Sequence, residues 1–217
     1  MILLDLFCGA GGASAGYDRS GFHVVGVDIM PQPRYLFDFH QEDALKYLRE
    51  HGHKFDLIHA SPPCQRYSVC KSIGTYKAEQ YPDLIAPVRN LLIEIGKPYI
   101  IENVPGAPLI NPIVLCGSMF PKRCTPEGNQ LRRHRLFECS FPVDMSGMRC
   151  NHNNESTVGV YGHSGGSSKR DGVKFFGMEA RRQVMGIKWM NGKELSQAIP
   201  PDYTSFLGSK FLEYLKS

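Results

Sequence analysis

The 217-residue chain has no apolar run near the roughly 20 residues a membrane-spanning helix needs; stretches such as Leu91 to Ile95 fall far short of it. It has no basic region ahead of its first apolar residues, and MILLDLFCGAGG reaches an acid at Asp5, so its start does not read as a signal peptide. It has no C-x-x-C pair and an odd number of cysteines, seven (Cys8, Cys64, Cys70, Cys116, Cys124, Cys139 and Cys150). Without secretory context, free thiols in a reducing, cytoplasmic compartment are expected rather than a disulfide framework. There is no internal repeat, and the Gly-Ser stretch at 164–168 is too short to link large domains. A hydrophobic content of 42% with 21% charged residues excludes a fibrous, collagenous or largely disordered chain. The length suits one domain, or one with a small appendage.

Net charge is small but unevenly placed. The net charge is +4, yet residues 1–60 hold 5 Lys and Arg against 8 Asp and Glu, while residues 61–217 hold 20 against 13. A positive excess in the later part suits contact with a polyanion, and equally a solvated face.

The first hundred residues alternate between strand and helix patterns. Strands are predicted at Ile2–Phe7, His23–Asp28, Phe55–Ala60 and Tyr99–Ile101, and helices at Ala13–Arg19, Asp43–Glu50 and Leu84–Ile95, the last weakened by Pro87. Such alternation predicts an α/β fold with a doubly wound, largely parallel sheet, whose ligands bind beyond the carboxyl ends of the strands. Phe7 to Gly12, Asp28, Cys64 and Glu102 all follow predicted strands. Beyond about residue 105 the periodicity fades, and residues 142–172 are rich in Gly, Ser, Asn and His. Order returns at Phe175–Gly186, with a closing amphipathic helix over Tyr203–Leu215.

Four constellations carry chemistry. Asp5-Leu6-Phe7-Cys8-Gly9-Ala10-Gly11-Gly12 joins a strand to a helix, where glycines admit a ligand to the backbone and the helix start offers free N–H groups. The third glycine of a dinucleotide fingerprint would fall at Ser14, which disfavours a nicotinamide dehydrogenase. Asp28 suits ribose hydroxyls; the pair fits a nucleoside cofactor, or a tight turn packed on the sheet. Ser61-Pro62-Pro63-Cys64-Gln65 sets a thiol in a stiff loop, as a nucleophile or an inert side chain. Ile101-Glu102-Asn103-Val104-Pro105 ends a strand with a carboxyl group, a proton donor beside a thiol or a surface carboxylate. Leu131-Arg132-Arg133-His134-Arg135-Leu136-Phe137 alternates as a strand does, placing Arg133 and Arg135 on one face for an anion or for solvent.

In this order the four pieces resemble the cytosine-5 DNA methyltransferase family, closely at DLFCGAGG, PPCQ and ENV and fairly at RRHRLF. The resemblance extends to Glu179–Gly186 and to Ser196-Gln197-Ala198-Ile199-Pro200-Pro201. It implies a Rossmann-like methyltransferase domain over 1–137 and 178–217, with 138–177 as a very small target-recognition insert. It further implies S-adenosylmethionine as cofactor, held by Phe7, Gly9, Ala10, Gly11, Gly12, Asp28, Pro63, Gln197 and Ala198, with Asp43 near the adenine. Cys64 would attack carbon 6 of cytosine and Glu102 would protonate ring nitrogen 3, with Arg133 and Arg135 steadying the flipped base. The implied partner is double-stranded DNA, bound by a monomer in the cytoplasm of a bacterium or phage-infected host, as a restriction-modification or phage DNA-modification enzyme. Methylation of RNA, and a catalytically silent DNA-binding member, are the competing readings. Two positions depart from the family: Leu131 replaces a usual glutamine, and Ser196-Gln197 a usual Gly-Asn.

The insert offers few long polar side chains (Arg149, Asn151, His152, Asn153, Asn154, His163, Lys169, Arg170), with Lys174 as a further phosphate contact, so a short or degenerate target is expected. Tyr67, Tyr76 and Tyr81 with Arg66, Lys71 and Lys77 suit a loop closing over DNA, or a packed loop. Cys139, Cys150 and His152, with Cys124, form an irregularly spaced candidate zinc set, and no metal is assigned.

Overall fold

Strand β1 (Ile2–Leu6) is buried along nearly all its length and apolar except at Asp5. A strand covered on both faces needs helices above and below it, the situation of a parallel sheet. In the computed structural model, which describes residues 1–67, 80–152, 156–161 and 176–216, β1 pairs in parallel with β2 (His23–Asp28) and β4 (Leu57–Ala60). Outside them lie β3 (Asp38–Gln41), parallel to β2, and β5 (Tyr99–Asn103), parallel to β4. Two antiparallel strands complete the sheet, β6 (Ile113–Leu115) and β7 (Arg135–Cys139), in the order β3-β2-β1-β4-β5-β7-β6. The order reverses between β1 and β4, so their carboxyl ends frame the crevice where such sheets bind ligands.

Alternation sends successive side chains to opposite faces. Leu3, Leu57 and Ile100 pack with Tyr17 of α1 (Gly12–Arg19) and with Tyr203, Leu207 and Phe211 of α6 (Pro201–Tyr214). Leu4, Leu6 and Ile58 pack with Ala44 and Leu48 of α2 (Ala44–His51) and with Val88 and Leu92 of α3 (Ile85–Ile95). Pro87 is the third residue of α3, where a backbone N–H would lack a helical partner in any case, so the helix forms around it. A third cluster joins Ala10 and Leu131 to Val158, Val160, and residues around α4 (Met178–Met185) and α5 (Gly192–Gln197). Among the described residues no helix is long and apolar enough to cross a membrane.

Three elements escape the sequence pattern: edge strand β3, three-residue β6 and polar α5. The strand expected from Leu131 begins only at Arg135, because the preceding side chains follow other anchors. The boundary expected after Phe137 cuts β7: Glu138 is buried, its carboxylate held by Arg89 at 2.8 and 2.7 Å. Phe141 enters the first core, and Val158 and Val160 the third. Glu138, Phe141, Val158 and Val160 are therefore packed with the rest of the fold rather than set apart from it.

Helix α1 meets α6 at bare backbone. A Cβ built on Gly16 would clash with Thr204 Oγ1 and with the Pro201 carbonyl oxygen. Neither has room to retreat, since Thr204 Oγ1 donates to the Ala13 carbonyl at 2.8 Å. Gly16→Ala is expected to lower the urea midpoint by the equivalent of about 1–3 kcal/mol, the usual cost of overpacking; an unchanged midpoint would mean that the helices separate freely.

Candidate active site

At the end of β1 the chain leaves the strand through Phe7, whose φ of 58° lies in the left-handed region. That conformation costs a residue with a side chain about 1–2 kcal/mol and is tolerated where surrounding contacts enforce it. Here Asp28, at the end of β2, accepts from Gly9 N at 3.0 Å and from Met30 N at 2.9 Å. Trp189 Nε1 donates to the Ala10 carbonyl at 2.9 Å. Gly11, at φ 84°, caps α1, and a Cβ there would lie 3.0 Å from the Tyr35 ring. Beneath the turn Asp5 is fully buried and bonds Ser14 Oγ at 2.5 Å, while its Oδ1 has no hydrogen-bond partner among the described residues. Burial raises the Asp5 carboxyl to about 7.

The second group of residues arrives from β4, β5 and β7. Ser61 N donates to the Leu6 carbonyl at 3.1 Å, and Asn103 Nδ2 to the Pro62 carbonyl at 2.9 Å, so the Pro-Pro-Cys loop is tied to strands on both sides. Glu102, from β5, is buried and pairs with Arg135 Nε at 3.1 Å. Burial pushes its carboxyl above the ordinary range, against the pull of the Arg135 and Arg133 charges. Cys64 is likewise raised, by burial and by the Glu102 charge, and drawn down by Arg135. Behind Glu102 runs a polar chain the sequence did not signal: Tyr17 OH to His59 Nδ1 at 2.8 Å, and His59 Nε2 to Ser61 Oγ at 2.8 Å. His59 is fully buried and its pKa falls to about 3, so the ring is neutral.

A single cavity of about 440 Å³ joins the two groups, within the range of small-molecule sites. Phe7, Gly9, Ala10, Gly12, Asp28 and Pro63 line it toward the glycine turn. Cys64, Glu102, Arg135, Gln197 and Ala198 line it too. Three expected residues are not among its lining. Asp43 caps α2, accepting from Lys46 N at 2.9 Å; Gly11 faces Tyr35; and Arg133 stands behind the cavity, fully buried, its guanidinium donating to the Val160 and Ser196 carbonyls at 2.8 and 2.7 Å. Arg133 thus fixes the segment beside Gln197. Leu131, where glutamine is usual, is a core residue of the third cluster. Asp5 and Ser61, which stand in the quoted motifs without an assigned role, and Met190 and Glu194, which carry no motif, also line the cavity. In the loop after Cys64, Arg66 Nη1 donates to the Tyr81 carbonyl at 3.1 Å. Tyr76, Lys71 and Lys77 lie outside the described residues, as do Asn153, Asn154, His163, Lys169, Arg170 and Lys174.

The profile of the C-5 cytosine-specific DNA methylases matches residues 1–109, half of the chain, including the glycine turn, Cys64 and Glu102. The chain belongs to this family. A type II methyltransferase of Haemophilus parahaemolyticus, M1.HphI, is 32% identical over 117 residues, covering 46% of this chain and 32% of that protein. M.AplI of Arthrospira platensis is 30% identical over 74 residues, covering 32% of this chain and 21% of that protein. The chain thus spans about a third or less of the curated relatives it matches. Two solved structures share the fold across the whole chain: the Dnmt2 methyltransferase of S. pombe (TM-score 0.63, 14% identity, 99% of that chain covered) and the Entamoeba histolytica methyltransferase EhMeth (0.61, 13%, 99%).

Family membership implies S-adenosylmethionine, and the residues fit it. The Asp5 oxygen left without a partner, in a carboxyl raised by burial, suits a positively charged ligand beside it. Asp28 keeps lone pairs for hydroxyl donors, and Phe7, Ile29 and Ile199 supply apolar wall.

The opposed influences on Cys64 give a test independent of turnover. Alkylation of Cys64 by iodoacetamide, followed by peptide mass spectrometry across pH, should show a midpoint above the ordinary thiol value. Glu102→Gln removes the charge that raises it, so the midpoint moves down; Arg135→Gln removes the charge that lowers it, so the midpoint moves up. Equal midpoints in all three proteins would contradict this electrostatic arrangement.

Proposed function

We propose that the chain transfers a methyl group from S-adenosylmethionine to carbon 5 of cytosine in double-stranded DNA. The observation that carries the reading is the one cavity lined both by the glycine turn with Asp28 and by Cys64, Glu102 and Arg135. A silent DNA-binding protein has no need for a thiol and a protonatable carboxyl at the same cavity. The target base leaves the duplex stack, at a cost of a few kcal/mol. Cys64, as thiolate, adds to carbon 6, and Glu102 donates its proton to ring nitrogen 3, so the ring electrons collect at carbon 5. A carboxyl whose pKa is raised by burial retains that proton nearer neutrality, and such acid assistance is worth about 10²–10⁴-fold. The bound cofactor supplies the methyl group that carbon 5 takes up. A base, such as water, then takes the carbon 5 proton as the Cys64 thiolate leaves, and ring nitrogen 3 returns its proton to the Glu102 carboxylate, which restores the ring. Arg135 holds the Glu102 carboxylate in place, and Arg133 acts at one remove by anchoring Ser196 next to Gln197.

The adenosyl end falls to Phe7, the Gly9–Gly12 turn and Asp28, with Pro63, Gln197 and Ala198 also lining the cavity; Asp43 contributes by capping α2 close to the Asp28 loop. The positive excess of residues 61–217 supports a polyanionic partner. The protein works as a monomer on the duplex, in the reducing cytoplasm of a bacterium or phage-infected host; its odd number of cysteines, seven, suits that setting.

Recognition falls to residues 138–177. Because Glu138, Phe141, Val158 and Val160 are buried in the core, fewer than its 40 residues remain to meet DNA, enough for roughly two to four fixed base pairs at about 1–3 kcal/mol each. Genome-wide sequencing of 5-methylcytosine in cells expressing the chain is expected to return such a short motif. A fully specified site of six or more base pairs would contradict the recognition argument, and modification found only in RNA would overturn the choice of substrate.

A further inference from the structure

Four potential metal ligands converge away from the cavity. Cys116 follows β6, His134 precedes β7, and Cys150 and His152 lie in the insert; their Sγ and ring nitrogen atoms all fall within 4.8 Å of one another. Cys116 Sγ is 3.3 Å from His152 Nε2, and Cys150 Sγ is 3.4 Å from His134 Nε2. The two imidazole rings meet edge to face, centroids 5.1 Å apart. A tetrahedral zinc ion, with bonds of about 2.3 Å to sulfur and 2.0–2.1 Å to nitrogen, sets sulfur and nitrogen ligands about 3.6 Å apart. Small side-chain movements convert the observed cluster into that polyhedron.

The geometry points to a structural zinc site formed by Cys116, His134, Cys150 and His152, which staples the insert to the catalytic sheet. Two thiolates and two imidazoles are a donor set that favours Zn(II), and four protein ligands leave no open position for catalysis. None of the four lines the cavity. Around the cluster the partners are already arranged: Ser118 Oγ donates to Cys116 Sγ at 3.3 Å, and Asn151 N to Ser118 Oγ at 3.2 Å. Gln130 Nε2 donates to the Asn151 carbonyl at 3.1 Å. Cys139 and Cys124, the other cysteines of the candidate zinc set, do not join it: Cys139 packs against the first core, and Cys124 Sγ donates to the Pro121 carbonyl at 3.3 Å.

The site meets a physical need. Residues 140–161 form no strand or helix among the described residues, and a segment with so little regular structure is held economically by a metal. It also steadies the approach to the reaction centre, since Arg135, the residue after His134, donates from Nη1 to the His134 carbonyl at 2.8 Å.

Metal analysis of the untagged, full-length protein purified without chelator tests this, with no reliance on methyl transfer. About one zinc per chain is expected, and cobalt(II) added alone to the metal-stripped, reduced protein should give tetrahedral d–d bands and thiolate-to-cobalt charge transfer. Cys116→Ser and His152→Ala should lose both signals, Ser118→Ala should weaken zinc binding about tenfold or more, and Cys139→Ser and Cys124→Ser should leave it intact. Wild-type protein with neither zinc nor the thiolate–cobalt band overturns the site, even if the variants fail to fold. A Cys116–Cys150 disulfide in freshly purified protein overturns it as well.

Discussion

Glu102 sits where solvent barely reaches, and a carboxylate left alone there would lose several kcal/mol of hydration with nothing in return. Arg135, 3.1 Å away, supplies the opposing charge, and much of the later chain is disposed so that this arginine arrives. Strand β7 runs antiparallel to β5, with Phe137 opposite Glu102 and Leu136 opposite Asn103. Upstream, Tyr203 of α6 donates to the Arg133 carbonyl at 2.6 Å, and the Arg133 guanidinium grips the carbonyls of Val160 and Ser196. The closing helix, Val160 and α5 thus converge on Arg133, two residues ahead of β7. The proposed zinc ligand His134 lies between the two arginines.

The same pair links the two ends of the cavity. Asn103, next to Glu102, holds the Pro62 carbonyl and so the loop that presents Cys64. Ser61 in that loop bonds back to Leu6, the last residue before the glycine turn. Cys64, Glu102 and the glycine turn are therefore set by hydrogen bonds between the ends of adjacent strands, as expected where a doubly wound sheet reverses its order. The electrostatics are consistent with a resting site that keeps both the thiol and the carboxyl more protonated than they would be in water.

The strands of the first half were legible because parallel strands are covered on both faces and read as short apolar runs; β2 was placed at its observed bounds, His23–Asp28. Edge strand β3, with the mostly exposed sequence Asp-Phe-His-Gln, carries no such signature, and β6 is three residues long. The Leu131–Phe137 alternation predicted too long a strand, since side-chain anchors rather than ladder bonds govern Arg133. The motif residues at the cavity were readable in the sequence, yet the supports that place them were not. Asp5, Tyr35, His59 and Trp189 reach the site's framework from separate elements, through contacts that no local spacing records. The cysteine–histidine cluster shows the same limit, as the pairing of β6 with β7 brings Cys116 and His134 together and the loop carrying Cys150 and His152 folds onto them.

The central claim is a covalent bond between Cys64 and carbon 6 of the target base, formed in the cavity that also holds the methyl donor. Duplex DNA carrying 5-fluorocytosine at the methylation site tests it directly, because carbon 5 then has no proton to lose and the adduct cannot resolve. With S-adenosylmethionine present, the account predicts a denaturation-resistant protein–DNA complex whose linkage maps to the peptide containing Cys64, and none with Cys64→Ser. A preparation that methylates ordinary duplex yet forms no adduct, or forms one at another cysteine, would contradict it.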